Sequence, residues 1–335
     1  MQSIDTQTTA SQMARRRFLR RLGIGTAATA IYSGSHLMSA DVKPKTYTYK
    51  KVGNLSIKAD VYCSDNNKQQ PVLVWIHGGA LINGHRAGVS GRVLRHALSN
   101  GYTLCSIDYR LAPETQLPAI IEDLEDAMTW VAKRGPALFN AKPGKIAVSG
   151  GSAGGYMTLT SGFRAKPRPT VLLSLWGYGD LVGDWYSKPS PHKRHAIDIS
   201  RDDAYKQVSG EPISDSRERN GDGGKFYRYC RKYGIWPEAV SGWRPHKEPK
   251  KFYPYMAVKN VTKDYPPTTM IHGTKDTDVP YEQSAMMAAE FKKHGIAHQL
   301  HSIDGGEHGL SGADADDIDA AYKAAFQFVD DHMLG

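Results

Sequence analysis

Cysteine is scarce in this chain. Only Cys63, Cys105 and Cys230 occur in 335 residues, widely spaced and odd in number. That excludes a disulfide-stapled scaffold, and the absence of any Cys-x-x-Cys spacing excludes the common zinc modules. One disulfide stays open for a protein outside the cytoplasm, with buried thiols the equal alternative. Long apolar runs are missing too: the stretch from Leu22 to about Tyr32 is too short to span a bilayer. No repeat of fixed period and no long low-complexity tract is visible. No interleaved basic and aromatic motif suggests a nucleic-acid partner, so none is expected. At 40% hydrophobic residues, the chain has material for one large core.

The first forty residues stand apart. Five arginines and one acid precede or enter the short apolar run, and Arg15-Arg16-Arg17-Phe18-Leu19-Arg20 resembles the twin-arginine export signal. Residues 1–40 are therefore expected to be an export signal cleaved after Ala40, giving a periplasmic or extracellular protein. A basic amphipathic anchor that stays attached is the alternative reading. Membrane contact is expected only through this segment. Of the formal charge of +9, the signal accounts for +4, which leaves a modest +5 on residues 41–335. That balance favours an anionic partner, such as an acidic polysaccharide, only weakly.

Beyond the signal, residues 46–50 and 55–63 alternate with the period of two expected of strands. Continuous apolar runs at 71–79, 102–110 and 145–151 read as buried parallel strands, and 169–177, 267–273 and 297–306 supply further strands. Between two of them, Leu117, Ile120, Ile121, Leu124, Ala127, Met128 and Val131 recur at spacings of three and four, the signature of one helix face over 117–134. Further helices fit 281–294, capped by Gly295, and roughly 313–333. Alternating strands and helices predict an α/β fold: a mostly parallel eight-stranded sheet with helices on both faces, begun by an antiparallel pair. Residues 180–262 interrupt it with a polar stretch rich in Trp, Tyr, Pro, Lys and Arg, containing one helix-like piece at 223–237. An interruption of that length reads as a functional insertion in a domain covering 41–335.

The chemistry begins at Gly150-Gly151-Ser152-Ala153-Gly154, where a strand ends and a helix starts. A serine between them must adopt a sharp, strained turn, and flanking glycines give the helix room to approach the strand. This is the G-x-S-x-G nucleophile elbow in its required strand–turn–helix setting. A phosphate-binding glycine turn would need the P-loop lysine or the dinucleotide spacing, and has neither.

Serine needs a base, and the base needs an acid to orient it. In this fold they follow in the order Ser, acid, His. The segment 304–310 places His308 between glycines after the last strand, and 272–280 offers Asp276 and Asp278 after the preceding one. On residues alone the choice of acid stays open, since either aspartate could equally cap a helix. Oxyanion donors are expected from the backbone amides of Gly79 and Ala80 in "HGGA" (77–80), together with that of Ala153. Each is worth about 3 kcal/mol in a transition state. His77 reads as a structural hydrogen-bonding residue. No metal or organic cofactor is called for.

Taken together, these pieces resemble the α/β-hydrolase family, and specifically its esterase/lipase branch related to hormone-sensitive lipase. "HGGA" stands where that group has His-Gly-Gly-Gly, "DYRLAPE" (108–114) matches its Asp-Tyr-Arg-Leu-Ala-Pro-Glu signature, and "GGSAGG" (150–155) matches its serine elbow. "HGTKDTDVPYEQS" (272–284) is similar to the acid loop and aligns Asp276, not Asp278, with the catalytic acid. The resemblance spans about 45–180 and 262–333. It implies Asp108, Tyr109 and Arg110 as scaffold holding neighbouring loops. Two departures matter: alanine replaces the third glycine of the oxyanion loop, and the group's N-terminal cap is short, leaving the 180–262 insertion to cover the site as a lid. That arrangement is similar to small acetyl and feruloyl esterases acting on plant polysaccharides.

The expectation is therefore an exported serine carboxylic-ester hydrolase working through an acyl-enzyme on a small ester or an acylated polysaccharide. A serine peptidase of the prolyl-oligopeptidase type shares the acid and histidine loops, but this chain has no room for a propeller. An arylformamidase-like amidase fits export poorly. A non-catalytic binding module would have lost one of Ser152, Asp276 or His308, and all three are present. Trp185, Tyr186, Trp236 and Trp243 in the insertion are read first as its own core and second as a platform for sugars or phenolic acyl groups.

Overall fold

Each of the eight strand-like runs becomes a strand of one sheet. The computed structural model describes residues 42–63, 68–208 and 210–335; the export-signal segment and the bond after Ala40 lie outside the described residues. The strands are β1 (Lys45–Val52), β2 (Leu55–Tyr62), β3 (Gln70–Ile76), β4 (Thr103–Ile107), β5 (Ala141–Gly151), β6 (Val171–Leu175), β7 (Thr268–Gly273) and β8 (His298–Ile303). They lie in the order β1-β2-β4-β3-β5-β6-β7-β8, with β1, β2 and β4 paired antiparallel and every later pair parallel. Every residue of β3, β4, β6 and β7 is buried, as continuous apolar runs require when helices cover both faces.

Helix α1 (Gly91–Ser99) went unread in the sequence because only Val93 and Ala97 of its residues are buried; Ser90 caps it through Val93 N. In α2 (Leu117–Phe139) all seven residues of the apolar stripe are buried. It outruns the expected end by five residues, continuing through Pro136 because buried Gly135 and Phe139 pack its last turn near Ala141 before Asn140 turns left-handed. Helix α3 (Ala153–Arg164) follows the elbow and is buried almost throughout. After β6 the insertion folds as short helices α4 (Asp184–Ser187), α5 (Arg201–Tyr205), α6 (Gly224–Tyr233), α7 (Trp236–Ser241), α8 (Pro249–Phe252) and α9 (Ala257–Asn260). Helices α10 (Glu282–Lys293) and α11 (Ala315–Met333) complete the chain.

The insertion has a core of its own. Tyr186 and Trp236 are 2% and 1% exposed, which removes them as a sugar-stacking surface. Their rings pack with Tyr178 and Trp185, and Trp243 packs on Phe252 and Tyr255. Burial of such rings contributes strongly to holding an irregular segment together. Bonds to the main body are specific: Trp236 Nε1 donates to Ala80 O at 3.0 Å, Arg219 pairs with Glu114, and Tyr156 Oη donates to Tyr255 O at 2.9 Å. Cys105 and Cys230 are buried thiols whose surroundings push their pKa values up. Among the described residues no helix is long and apolar enough to cross a membrane.

Candidate active site

The parallel strands all end on one edge of the sheet, and four of the loops there carry the candidate catalytic and oxyanion residues. This is where open α/β sheets bind ligands. The loop after β3 carries Gly78, Gly79 and Ala80; that after β5 carries Ser152; those after β7 and β8 carry Asp276 and His308.

Ser152 sits at φ 58°, ψ −119°, a conformation that costs a non-glycine residue about 1–3 kcal/mol. The surroundings over-determine it. Its amide donates to Leu175 O at 2.9 Å, and α3 starts at the next residue. A Cβ on Gly154 would lie 2.1 Å from Ile76 O, so only glycine lets α3 lie this close to β3. The oxyanion loop is equally near: a Cβ on Gly78 would lie 2.8 Å from Gly151 O.

Across the cleft Ser152 Oγ donates to His308 Nε2 at 3.1 Å, and His308 Nδ1 donates to Asp276 Oδ2 at 2.8 Å. Asp276 is 8% exposed, and both its oxygens are engaged. Oδ1 accepts from the amides of Asp278 (2.8 Å) and Val279 (2.9 Å), while Oδ2 also lies 3.3 Å from His272 Nε2. His272 is itself oriented, donating from Nε2 to Val279 O and accepting at Nδ1 from Ser284 Oγ. Burial disfavours the Asp276 carboxylate, yet the bonds from His272 and His308 and their charges outweigh it and hold its pKa at about 2. For His308, burial disfavours the imidazolium. The Asp276 hydrogen bond and the charges of Asp278 and Asp276 more than compensate and raise its pKa. A base with an elevated pKa beside a permanently ionised acid is the arrangement that proton transfer from a serine requires.

Beyond Gly78, Gly79 and Ala80 have φ of 108° and 61°. Among the described residues, no protein acceptor takes the amides of Gly79, Ala80 or Ala153, so all three remain available to an oxyanion. Trp236 secures the loop through Ala80 O. His77 is a support: it stacks on Tyr109 at 4.2 Å, bonds Gly78 O through Nδ1, and burial lowers its pKa to about 4, keeping it neutral. Tyr109 Oη donates to His77 O, Asp108 accepts from Arg86, and Arg110 holds Asp123 with two nitrogens. Those three residues are the frame beneath the loop.

Two neighbours of the centre, Trp176 and Glu307, carried no sequence signal of their own, and a third, Asp278, was singled out only as the alternative acid. Trp176 packs edge-on to His308 and against Gly151. Glu307, adjacent to the base, accepts from His308 N (2.8 Å), Thr277 N (2.7 Å) and Arg194 Nη1 (2.6 Å), riveting the histidine loop to the acid loop. Asp278, which the motif alignment leaves as a variable position, is 7% exposed and bonded to the insertion. Only the tertiary pairing of these groups shows what each of them holds. A cleft of about 400 Å³ opens beside the oxyanion loop, lined by His77, Gly79, Asn83, His85, Arg217 and Asp222. Among the described residues no cluster of His, Cys, Asp or Glu is arranged to hold a metal.

Two family models match the chain in tandem: that described as BD-FAE over residues 59–171, and the prolyl oligopeptidase family over 207–335. Esterase LipI of Mycobacterium tuberculosis is 38% identical over 124 residues, 36% of this chain and 38% of that protein. The chain spans 8% to 14% of the fungal non-reducing polyketide synthases it matches and less than half of the mycobacterial esterases. An α/β-hydrolase superfamily protein from Enterococcus faecalis superposes with a TM-score of 0.68 at 19% identity, covering 86% of this chain and 98% of that one. A carbohydrate esterase from gut microbiota superposes with 0.63 at 19% identity, covering 88% and 98%. At these identities the structural likeness speaks to fold.

Proposed function

The chain belongs to the α/β-hydrolase family, in its esterase/lipase branch, and from that premise we propose that it is a serine carboxylic-ester hydrolase acting through an acyl-enzyme. The observation that carries the reading is the unbroken line of hydrogen bonds from Ser152 Oγ through His308 to Asp276; among the described residues no protein acceptor takes the amides of Gly79, Ala80 and Ala153, which this reading assigns to the oxyanion. Ser152 Oγ attacks the ester carbonyl carbon while its proton passes to His308 Nε2. Negative charge gathers on the carbonyl oxygen, where the amides of Gly79, Ala80 and Ala153 meet it. Collapse breaks the bond to the alcohol oxygen, which takes the proton from His308. Water then attacks the acyl-enzyme with His308 as base, and the acid leaves as Ser152 recovers its proton.

The substrates of this reading are short-chain acyl, acetyl or feruloyl esters. The methyl of Ala80 stands where a glycine would leave open space, and Trp176 walls the elbow. The cleft beside Gly79, with Asn83, Arg217 and Asp222 among its lining residues, is assigned in this reading to the alcohol portion, such as a polysaccharide, and the 180–262 insertion to the lid. Export through a twin-arginine-type signal belongs to the same reading.

A panel of p-nitrophenyl esters from acetate to long chains, with acetylated xylan, methyl ferulate and a prolyl p-nitroanilide, tests it. Hydrolysis of the short esters is expected. Turnover confined to the anilide would replace the reading with a peptidase, the alternative that the prolyl oligopeptidase match over 207–335 favours.

A further inference from the structure

A second carboxylate faces the base. Asp278 Oδ2 lies 3.8 Å from His308 Nε2, beyond hydrogen-bonding distance but close enough for a strong charge interaction. It takes no part in the line from Ser152 to Asp276, so its burial needs a reason. An isolated carboxylate in such a place would neutralise itself. Here four groups answer it, and all come from the insertion: His195 Nε2 donates to Oδ1 at 3.1 Å, Tyr227 Oη donates to Oδ1, Arg231 Nη1 stands 4.0 Å from Oδ1, and Arg194 Nη2 stands 3.7 Å from Oδ2. His195 is held in turn by Ser190 Oγ at 2.7 Å. The backbone of the same residue supports the acid, because Asp278 N donates to Asp276 Oδ1.

We propose that Asp278 is a positioning residue of this centre, tying the insertion to the acid loop and presenting a fixed negative charge to the nitrogen of His308 that carries the proton. The inference rests on the serine-hydrolase reading. Two carboxylates then bracket the imidazole, Asp276 at Nδ1 and Asp278 near Nε2. The other charged groups facing this assembly are Arg194 and Glu307 beside His308, His272 behind Asp276, and His195 and Arg231 behind Asp278. Burial disfavours the ionised Asp278, but the His195 bond, the His308 and Arg231 charges and the Tyr227 hydroxyl hold its pKa well below the usual carboxylate range. It therefore stays anionic wherever His308 titrates. It favours the imidazolium formed when Ser152 gives up its proton, and Arg194 opposes it. Because its partners belong to the insertion, the basicity of His308 depends on the insertion being seated.

The test follows the rate of Ser152 labelling by a fluorophosphonate, alongside kcat/KM for p-nitrophenyl acetate, from about pH 5 to about pH 9. Asp278→Asn should lower the midpoint of the acid limb by roughly one pH unit. Arg194→Gln should raise the midpoint. Tyr227→Phe keeps the Asp278 charge and three of its four partners in the insertion, and should leave the midpoint in place. A folded Asp278→Asn protein with an unshifted midpoint, including one that loses rate uniformly at every pH, would reduce Asp278 to a buried structural ion and overturn the proposal. Should that variant not fold, Arg194→Gln decides: an upward midpoint supports the proposal and any other result ends it. Wild-type protein that labels but hydrolyses no ester would defeat the ester reading while leaving the labelling profile to judge Asp278.

Discussion

Replacing Asp276 by asparagine changes one atom and should nearly silence the enzyme. The reason lies in the two amides that grip Oδ1, from Asp278 at 2.8 Å and Val279 at 2.9 Å. An asparagine must satisfy those donors with its single carbonyl oxygen, because its NH₂ would confront them donor to donor. The NH₂ is then forced to the Oδ2 position, 2.8 Å from His308 Nδ1. Nδ1 becomes an acceptor, the proton moves to Nε2, and the atom that should receive the serine proton is already occupied. Rates in a triad so disabled fall by about 10⁴-fold, equivalent to about 5 kcal/mol of barrier. The assay is steady-state hydrolysis of p-nitrophenyl acetate at neutral pH, with circular dichroism and thermal melting to show the fold intact. A folded Asp276→Asn protein within tenfold of wild type would refute the reasoning, for it would mean that the imidazole finds its tautomer without this carboxylate.

Ser152→Ala should abolish fluorophosphonate labelling and ester turnover while melting near the wild-type temperature; retained labelling would name another nucleophile. Gly154→Ala drives a methyl to within 2.1 Å of Ile76 O and should cost about 3 kcal/mol, seen as a Tm lower by several degrees, with activity falling as the elbow shifts. For pH, the sign follows from His308, which must be neutral to accept a proton and whose pKa is raised. kcat/KM should therefore climb with pH through a midpoint above about 6.5, the ordinary value for histidine, and a midpoint below it would contradict the two-carboxylate environment.

Much of the fold could be read directly because periodicity and burial are the same physics. The stripe from Leu117 to Val131 faces the core since a helix repeats every 3.6 residues, and the apolar run of β3 is buried since helices cover both sheet faces. Where that signal is thin, reading failed: α1 buries only two of nine residues, and the short helices α4, α5 and α8 rest on aromatic packing and not on pattern. The apolar stripe itself stops at Val131, whereas α2 runs on through Pro136 because tertiary packing supports its last turn.

The candidate site divides along the same line. Local chain geometry made Ser152 conspicuous, because a serine between a strand and a helix needs glycine on both sides whatever surrounds it. Loop positions after successive strands likewise singled out His308 and the pair Asp276 and Asp278. What local sequence could not settle was which of two aspartates two residues apart points at the imidazole's Nδ1 and which lies near its Nε2. That depends on the turn following β7, which aims the Asp276 carboxylate at Nδ1 and turns Asp278 toward His195 and Tyr227, more than fifty residues away along the chain. Glu307, Trp176 and the support of the oxyanion loop by Trp236 are of the same kind. Residues distant in sequence acquire their roles only when the chain has closed around them, because charge and hydrogen bonding act over a few ångströms of space and take no account of chain separation.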